Sequence, residues 1–365
     1  MSHLGIVIIG RNEGDRLRRC LTSVVGRGQS VVYVDSNSTD RSVEQARAMG
    51  ADVVELDMSQ PFTMGRGRNT GWTRLEELDP DVRFIQFVDG DCELVPGWLE
   101  LAYETIKNRP EIAVVCGRRR ERFPELSIYN RMADMEWNTP IGEAKYCGGD
   151  AMIRVEALRQ VGGYSPSLIA GEEPDLCVRL RRNKWTILRI DADMTLHDIA
   201  MTRFGQWWKR CERCGFAFAE GVAMHGHPPE RHWVHELRST VLWGLLLPLI
   251  IVILAWPTHG ASLLFGLAYP LQAFRIARRF RKQGMSASDA KIWGYGCILC
   301  RWPNALGVLR YWFARLSGRN QTLIEYKGEP SHSAGTETKD SKELAKIPDE
   351  SCFSRYAASP PMPHK

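Results

Sequence analysis

The sequence predicts an α/β domain with a parallel sheet covered by helices, followed by a helical region associated with a membrane. Three observations carry that prediction. Through the first two-thirds of the 365 residues, short β-branched runs alternate with amphipathic stretches, the pattern of strands joined by crossover helices. Residues 239–256, STVLWGLLLPLIIVILAW, carry no charge over 18 positions, and at ~1.5 Å per residue that length approaches the thickness of a bilayer core. Hydrophobic residues make up 44% of the chain and charged residues 25%, which excludes wholesale disorder, as the length excludes a peptide-sized scaffold.

Strands are expected at residues 4–9, 30–34, 52–56, 83–88 and 112–116, with helices starting near Gly14, Thr39, Gly67 and Pro96. Asp40 follows Thr39 where a first helical turn needs an acceptor, and Pro96 sits where a first-turn proline loses no hydrogen bond. The apolar run 4–9 is too short for a signal peptide and lacks a basic leader, so this end is not expected to direct export. The 10 cysteines are scattered; Cys20, Cys92, Cys116 and Cys177 lie inside apolar runs and read as reduced core residues. A net charge of +5 is too modest to make nucleic acid the expected partner.

The second uncharged stretch, residues 260–274, is short and contains Pro270, so a span, a re-entrant segment and a surface helix are all open. Arg231 and Arg238 precede the apolar pair, and Arg275, Arg278, Arg279, Arg281 and Lys282 follow it. Basic flanks face the cytoplasm, which places the N-terminal domain in the cytosol against the cytoplasmic membrane. Residues 292–316 mix Trp293, Tyr295, Trp302, Tyr311 and Trp312 with Arg301, Arg310 and Arg315, as an interfacial segment does. The expected division is an α/β domain over 1–230, a membrane hairpin over 239–274, interfacial helices over 275–327 and an unfolded tail over 328–365.

The central chemical signal is Asp89-Gly90-Asp91 at the C-terminal end of an apolar strand. Two carboxylates at i and i+2 converge where the glycine lets the chain turn, and hard oxygen donors suit Mg²⁺ or Mn²⁺ shared with a diphosphate. The same tripeptide also occurs in ordinary turns, but open α/β sheets place ligands at their strand C-termini. Arg11-Asn12-Glu13 and the run from Asp35 to Asp40 lie at matching strand ends, the latter equally a plain Asx turn. Arg66-Gly67-Arg68-Asn69, at a helix start, combines cations with free N–H groups.

These residues resemble the family 2 glycosyltransferases of the GT-A fold. The resemblance covers residues 4–221 and rests on IVIIGRNEGDRLRRCLTSV, VYVDSNSTDRS, GRGRNTG, FVDGD, GGDAMIRVEALRQVGGY and GEEPDLCVRLRR. The ending RYWFARLSGRNQTLIEYKG is similar to membrane-associated members that build polysaccharides or lipid-linked glycans. The resemblance implies that Asn12, Glu13 and Asp35 hold the nucleotide base and ribose, that Arg66 and Asn69 lie near the diphosphate, and that Asp89 and Asp91 bind metal and sugar nucleotide. It maps the family's acidic pair to Glu172 and Glu173, with Glu-Glu here in place of the usual Glu-Asp, so the general base is Glu173 or Asp175. Asp150, in Cys147-Gly148-Gly149-Asp150, resembles the acceptor-side loop. The implied reaction is inverting sugar transfer from a nucleoside diphosphate sugar to a glycan or polyprenyl-linked acceptor.

Read without the family, Pro174 fits a first helical position with Glu173 as N-cap and Asp175 near the positive end of the helix. The acidic residues are then either caps or bases. His197 ends another apolar run and is either structural or a third metal ligand. Cys211 with Cys214 and Cys297 with Cys300 lie on opposite sides of the membrane hairpin, so a shared zinc site is not expected. Trp207, Trp208, Lys209, Arg210 and Arg213 suit a membrane surface or packing beneath the site. A sugar nucleotidyltransferase and an inert nucleotide-binding scaffold are the rival functions; RNEGDRLRR is not the Gly-rich phosphate loop that the first requires.

Overall fold

The computed structural model describes Met1, residues 3–26 and residues 29–318. The expected tail at 328–365 lies outside the described residues. In chain order the first elements are β1 (Leu4–Gly10), α1 (Asp15–Val24), β2 (Ser30–Asp35), α2 (Ser42–Ala48), β3 (Asp52–Glu55), α3 (Met64–Leu78), β4 (Phe84–Asp89), β5 (Cys92–Leu94) and α4 (Trp98–Lys107). There follow β6 (Ile112–Glu121), α5 (Ile128–Glu136), β7 (Gly142–Glu143), β8 (Ala151–Arg154), α6 (Val155–Gln160), α7 (Glu172–Arg182) and β9 (Thr186–His197). All five expected strands form. The sheet is nevertheless mixed: its order is β3-β2-β1-β4-β8-β6-β9-β5, with β7 beside β9.

β1 to β4 pair in parallel, and β8 enters antiparallel between β4 and β6. The order reverses where β1 lies between β2 and β4, and such a switch point opens a crevice at the strand C-termini. Gly10 and Asp89 end at that crevice. β1 is buried along almost its whole length, because helices cover both faces of a central parallel strand. β6 runs past the expected end at Cys116 to Glu121, with register shifts against β9 from Cys116 to Arg119.

Four helix starts differ from expectation. α2 begins at Ser42 rather than near Thr39, and α3 begins at Met64 rather than near Gly67, with Thr63 accepting from the Arg66 N–H. α4 begins at Trp98 after Gly97, whose φ of 83° is left-handed, so Pro96 lies outside the helix. α7 begins at Glu172 after Gly171, also left-handed at φ 83°. Glu173 is therefore inside the first turn rather than its cap, and Pro174 is the third helical residue. A residue in that first turn still needs no N–H partner within the helix, which is why the proline is tolerated there.

The remaining helices are α8 (Phe204–His225), α9 (Val234–Val241), α10 (Leu247–Ala255), α11 (Ala268–Lys282), α12 (Ala287–Leu299) and α13 (Arg301–Ser317). α9 and α10 are joined by a π-helical turn, Leu242–Leu246, into one helix. That helix, Val234–Ala255, is the only one among the described residues long and apolar enough to cross a membrane. The second apolar stretch begins as a 3₁₀ turn, Ala261–Leu267, before α11. α13 lies on α8: a Cβ at Gly215 would overlap the Asn304 carbonyl, and one at Gly307 the Glu212 carbonyl. The segment expected to be interfacial is thus partly docked on the α/β domain, with Val308 and Tyr311 packed against Ile169 and Phe216.

Candidate active site

The crevice is built by two loops that hold each other. Asn12, with φ 55°, accepts a hydrogen bond from the Thr39 N–H at 2.7 Å through Oδ1, while its own N–H donates to the Ser38 hydroxyl at 2.9 Å. Asp35 is 2% exposed and accepts from the Tyr33 hydroxyl at 2.9 Å and the Ser38 N–H at 2.8 Å. The stem of Glu13 packs against Gly10 and Gly90, where any side chain on Gly90 would crowd the Ile9 carbonyl. Glycine between the two aspartates permits that close approach without displacing a neighbour.

Asp89 is held from three directions. Its N–H donates to Asp150 Oδ1 at 2.9 Å, Arg68 donates to its Oδ1 at 2.9 Å and Arg119 to its Oδ2 at 3.2 Å. Arg68, 1% exposed, also reaches Glu172 at 3.2 Å and Glu173 at 2.9 Å. Gly149 lies over this group, and a Cβ there would overlap Arg68. The sequence names Arg68 only as one cation of the Arg66-Gly67-Arg68-Asn69 cluster and does not point to Arg119. The signal available for Arg119 is its place in the run Arg118-Arg119-Arg120, because alternate side chains of a strand face opposite ways: Arg118 pairs with Asp134 and Arg120 with Asp193, leaving Arg119 toward Asp89 and Asp150.

Asp91 is 6% exposed and meets His197 Nε2 at 3.0 Å. Burial, then the charge of Arg119, pushes the imidazole down to about 4, so it is neutral at pH 7. Its Nδ1 has no hydrogen-bond partner among the described residues. Asp91, Cys92 and His197 bring one donor atom each within 4.8 Å of one another, as do Asp89, Cys92 and Asp150. Burial raises the Cys92 thiol well above its ordinary range. Carboxylates and a neutral imidazole are therefore the available donors, a set that fits Mg²⁺ or Mn²⁺.

The acidic run at α7 divides by environment. Burial, then the neighbouring Glu172 charge, raises Glu173 to about 7. Asp175 is 3% exposed. Its carboxylate accepts from Ser165 at 2.6 Å, from Arg179 at 2.8 Å and lies 2.7 Å from His225 Nε2. Burial works against its charge, but those hydrogen bonds together hold it below the ordinary carboxylate range. Asp175 ties α7 to α8, while Glu173 shares Arg68 with Asp89.

Three other expected residues take positions of their own. Arg66 donates to the carbonyls of Asp57, Gln60 and Pro61, closing its own loop. Asn69 exchanges hydrogen bonds with the Tyr164 backbone at 2.8 and 2.9 Å, and so holds the loop before α7. Asp150 is fully buried, bonded to Thr195 and Arg119 at 2.8 and 2.9 Å besides the Asp89 N–H. The two Cys-x-x-Cys pairs do approach each other, because α8 and α13 pack together and Cys300 joins the cluster containing Cys211. No set of three of these thiols closes to a ligating distance among the described residues.

Residues 5–162 match the family model described as glycosyl transferase family 2. The pre-mycofactocin glycosyltransferase of Mycobacterium tuberculosis is 31% identical over 191 residues, 48% of this chain and 38% of that protein. The chain thus spans well under half of that relative. Glycosyltransferase AglE of Haloferax volcanii is 23% identical over 232 residues, 58% of this chain and 71% of AglE. The mannosyltransferase PcManGT of Pyrobaculum calidifontis, solved with GDP-Man and Mn²⁺, superposes with a TM-score of 0.56 at 16% identity, covering 84% of this chain and 87% of that one. The likeness is one of fold. With the strand-end aspartates and the switch-point crevice, the chain has an α/β domain of the GT-A kind of fold, and its residues 5–162 carry the match to glycosyl transferase family 2.

Proposed function

We propose that the chain transfers a sugar from a nucleoside diphosphate sugar to a glycan or lipid-linked acceptor, with inversion at the anomeric carbon, at the cytosolic face of the cytoplasmic membrane. The observation that carries this reading is a single guanidinium nitrogen: Arg68 Nη2 lies 2.9 Å from both Asp89 and Glu173. It puts a carboxylate suited to metal and a carboxylate suited to proton abstraction around one point. Asp89 and Asp91, with His197, would hold Mg²⁺ or Mn²⁺. When bound, such an ion neutralises charge on a departing diphosphate. PcManGT, of like fold, was solved with both a sugar nucleotide and Mn²⁺.

The chain's own groups do the rest. Asp35, oriented by Tyr33 and Ser38, receives the ribose, and the loops joined by Asn12 frame the base. Arg68 and Arg119 are fixed cations beside the position of the diphosphate, so negative charge gathers there without reorganisation of solvent. Glu173 Oε accepts the proton of the attacking hydroxyl as that oxygen bonds to the anomeric carbon and the diphosphate leaves from the opposite face. A group with a pKa near ambient pH suits that task. If the acceptor oxygen belongs to a phosphate, it is already ionised and Glu173 has no proton to take.

The test is nucleoside diphosphate release by the purified full chain from a panel of sugar nucleotides, with and without Mn²⁺. Metal-dependent release is expected for one donor, with loss of at least ~100-fold in Asp89→Ala/Asp91→Ala. An unchanged rate in that variant after chelation would sink the reading. Tight donor binding with neither transfer nor hydrolysis would favour the scaffold.

A further inference from the structure

The hairpin that follows the catalytic domain leaves and returns on the same side. Val234–Ala255 runs outward, the chain turns through Trp256 to Gly260, and Ala261–Leu267 with α11 runs back. The limbs are joined along their length: the Ser262 hydroxyl donates to the Ile251 carbonyl at 2.8 Å, and the Tyr269 hydroxyl to the Trp243 carbonyl at 2.8 Å. Beyond the return limb, Asp289 pairs with Arg131 of α5 at 2.5 Å, and α13 docks on α8. The outer surface of the hairpin is apolar and bare, with Trp256 91%, Val252 71% and Leu264 67% exposed.

Its depth is set by residue count. From Arg238 to Trp256 the helix rises ~27 Å at ~1.5 Å per residue. The return limb, one 3₁₀ segment and two helical turns down to Arg275, covers roughly 24 Å. With those arginines among the headgroups, the tip falls short of the ~40–45 Å that separates the two aqueous faces of a bilayer. Two hydroxyls at the tip are satisfied within the chain, while His259 is exposed there. Thr258 donates to the Leu254 carbonyl at 2.5 Å and accepts from the Ser262 N–H at 3.1 Å, which leaves neither hydroxyl in need of water.

At the base of the hairpin, Arg275, Arg278, Arg279, Arg281 and Lys282 are all exposed, and no ion pair recorded among the described residues includes them. Five cations packed into eight positions repel one another unless anions meet them. Anionic lipid headgroups at the mouth of the hairpin supply that complement. Resting on the membrane placement proposed above, we infer that residues 234–282 form a re-entrant hairpin that enters the bilayer beside the catalytic domain, ends inside the hydrocarbon, and is held by its five cations to an anionic leaflet.

Two measurements test this with the full chain. A protease recognition sequence placed between Thr258 and His259 is probed in sealed vesicles that carry the catalytic domain outside, with protease added outside or enclosed within. Cleavage is expected only after detergent; cleavage by the enclosed protease would show a crossing, and cleavage from outside would show a tip never inserted, and either overturns the inference. Flotation on vesicles of phosphatidylcholine alone or mixed with phosphatidylglycerol gives the second readout, with Arg275→Gln/Arg278→Gln/Arg279→Gln/Arg281→Gln as the variant and thermal unfolding in detergent as its folding control. At least ~10-fold tighter binding to the anionic vesicles is expected, abolished in the variant. Equal binding to both vesicles overturns the cationic anchor while leaving membrane association standing. Binding to neither overturns that association and the hairpin with it.

Discussion

Arg68 gathers the carboxylates of Asp89, Glu172 and Glu173 on one buried guanidinium, and each of the three would be costly to leave alone in that interior. Removing one partner of a buried ion pair costs about 3–5 kcal/mol. Arg68→Met is therefore expected to lose stability of that order, read by chemical unfolding in detergent. Glu173 yields a kinetic expectation. Its carboxyl, raised to about 7 by burial and then by Glu172, must be ionised to accept a proton, and the ionised fraction grows with pH. Turnover with a hydroxyl acceptor should rise through about pH 7 and level off above it. Glu173→Gln should lower kcat by about 10²–10⁴-fold, with little change in donor KM. Undiminished turnover in that variant at saturating donor would remove Glu173 from the base role.

Among the elements, α7 carries the acidic turn and α8 carries the route to the membrane, and they meet at a small cluster. Asp175 bonds His225 across the two helices, and Gly171 and Gly221 make room for the Trp233 ring. Glu220 lies beside them with one carboxyl oxygen unpartnered among the described residues, raised to about 7 by burial and then by the charge of Asp175. A carboxyl whose folded pKa lies above its unfolded one stabilises the fold below the unfolded value and loses that contribution as pH rises through the folded value. Between 4.5, the ordinary value for a glutamate, and about 7, stability should fall with rising pH. Glu220→Gln is expected to flatten that slope by about 1–2 kcal/mol over the window, discounted for partial exposure. A variant with the wild-type slope in a pH series of unfolding midpoints would assign the dependence elsewhere.

Taken as a whole, the molecule is a crevice on one face of a mixed sheet, backed by helices that lead into an apolar hairpin. Arg68 and Arg119 both pair with Asp89, and metal bound there with donor would add to stability by mass action. At 100 times the dissociation constant that linkage is about 2.7 kcal/mol. Thermal unfolding in detergent should therefore shift upward with sugar nucleotide plus Mn²⁺, by more than with either alone. Asp89→Ala/Asp91→Ala should abolish the difference, and a shift that survives in that variant would place the ion elsewhere.

The local chemistry of this chain is written in its order of residues. β-branched runs, turn residues at their ends and the Asp-Gly-Asp tripeptide are short-range signals, and strand positions, the crevice aspartates and the uncharged helix follow from them. Contacts between distant segments are not so written. The left-handed φ at Gly97 and Gly171 moved two helix starts, because glycine there makes a sharp turn that Pro96 and Pro174 do not disclose. Arg68 and Arg66 stand two residues apart, on different faces of one helix, and only the approach of β4, α7 and the Gly149 loop decided which enters the site. The antiparallel place of β8, the task of Asp175 and the docking of α13 on α8 arose in the same way: each depends on which surfaces the fold brings together, and periodicity along the chain carries no record of the partner.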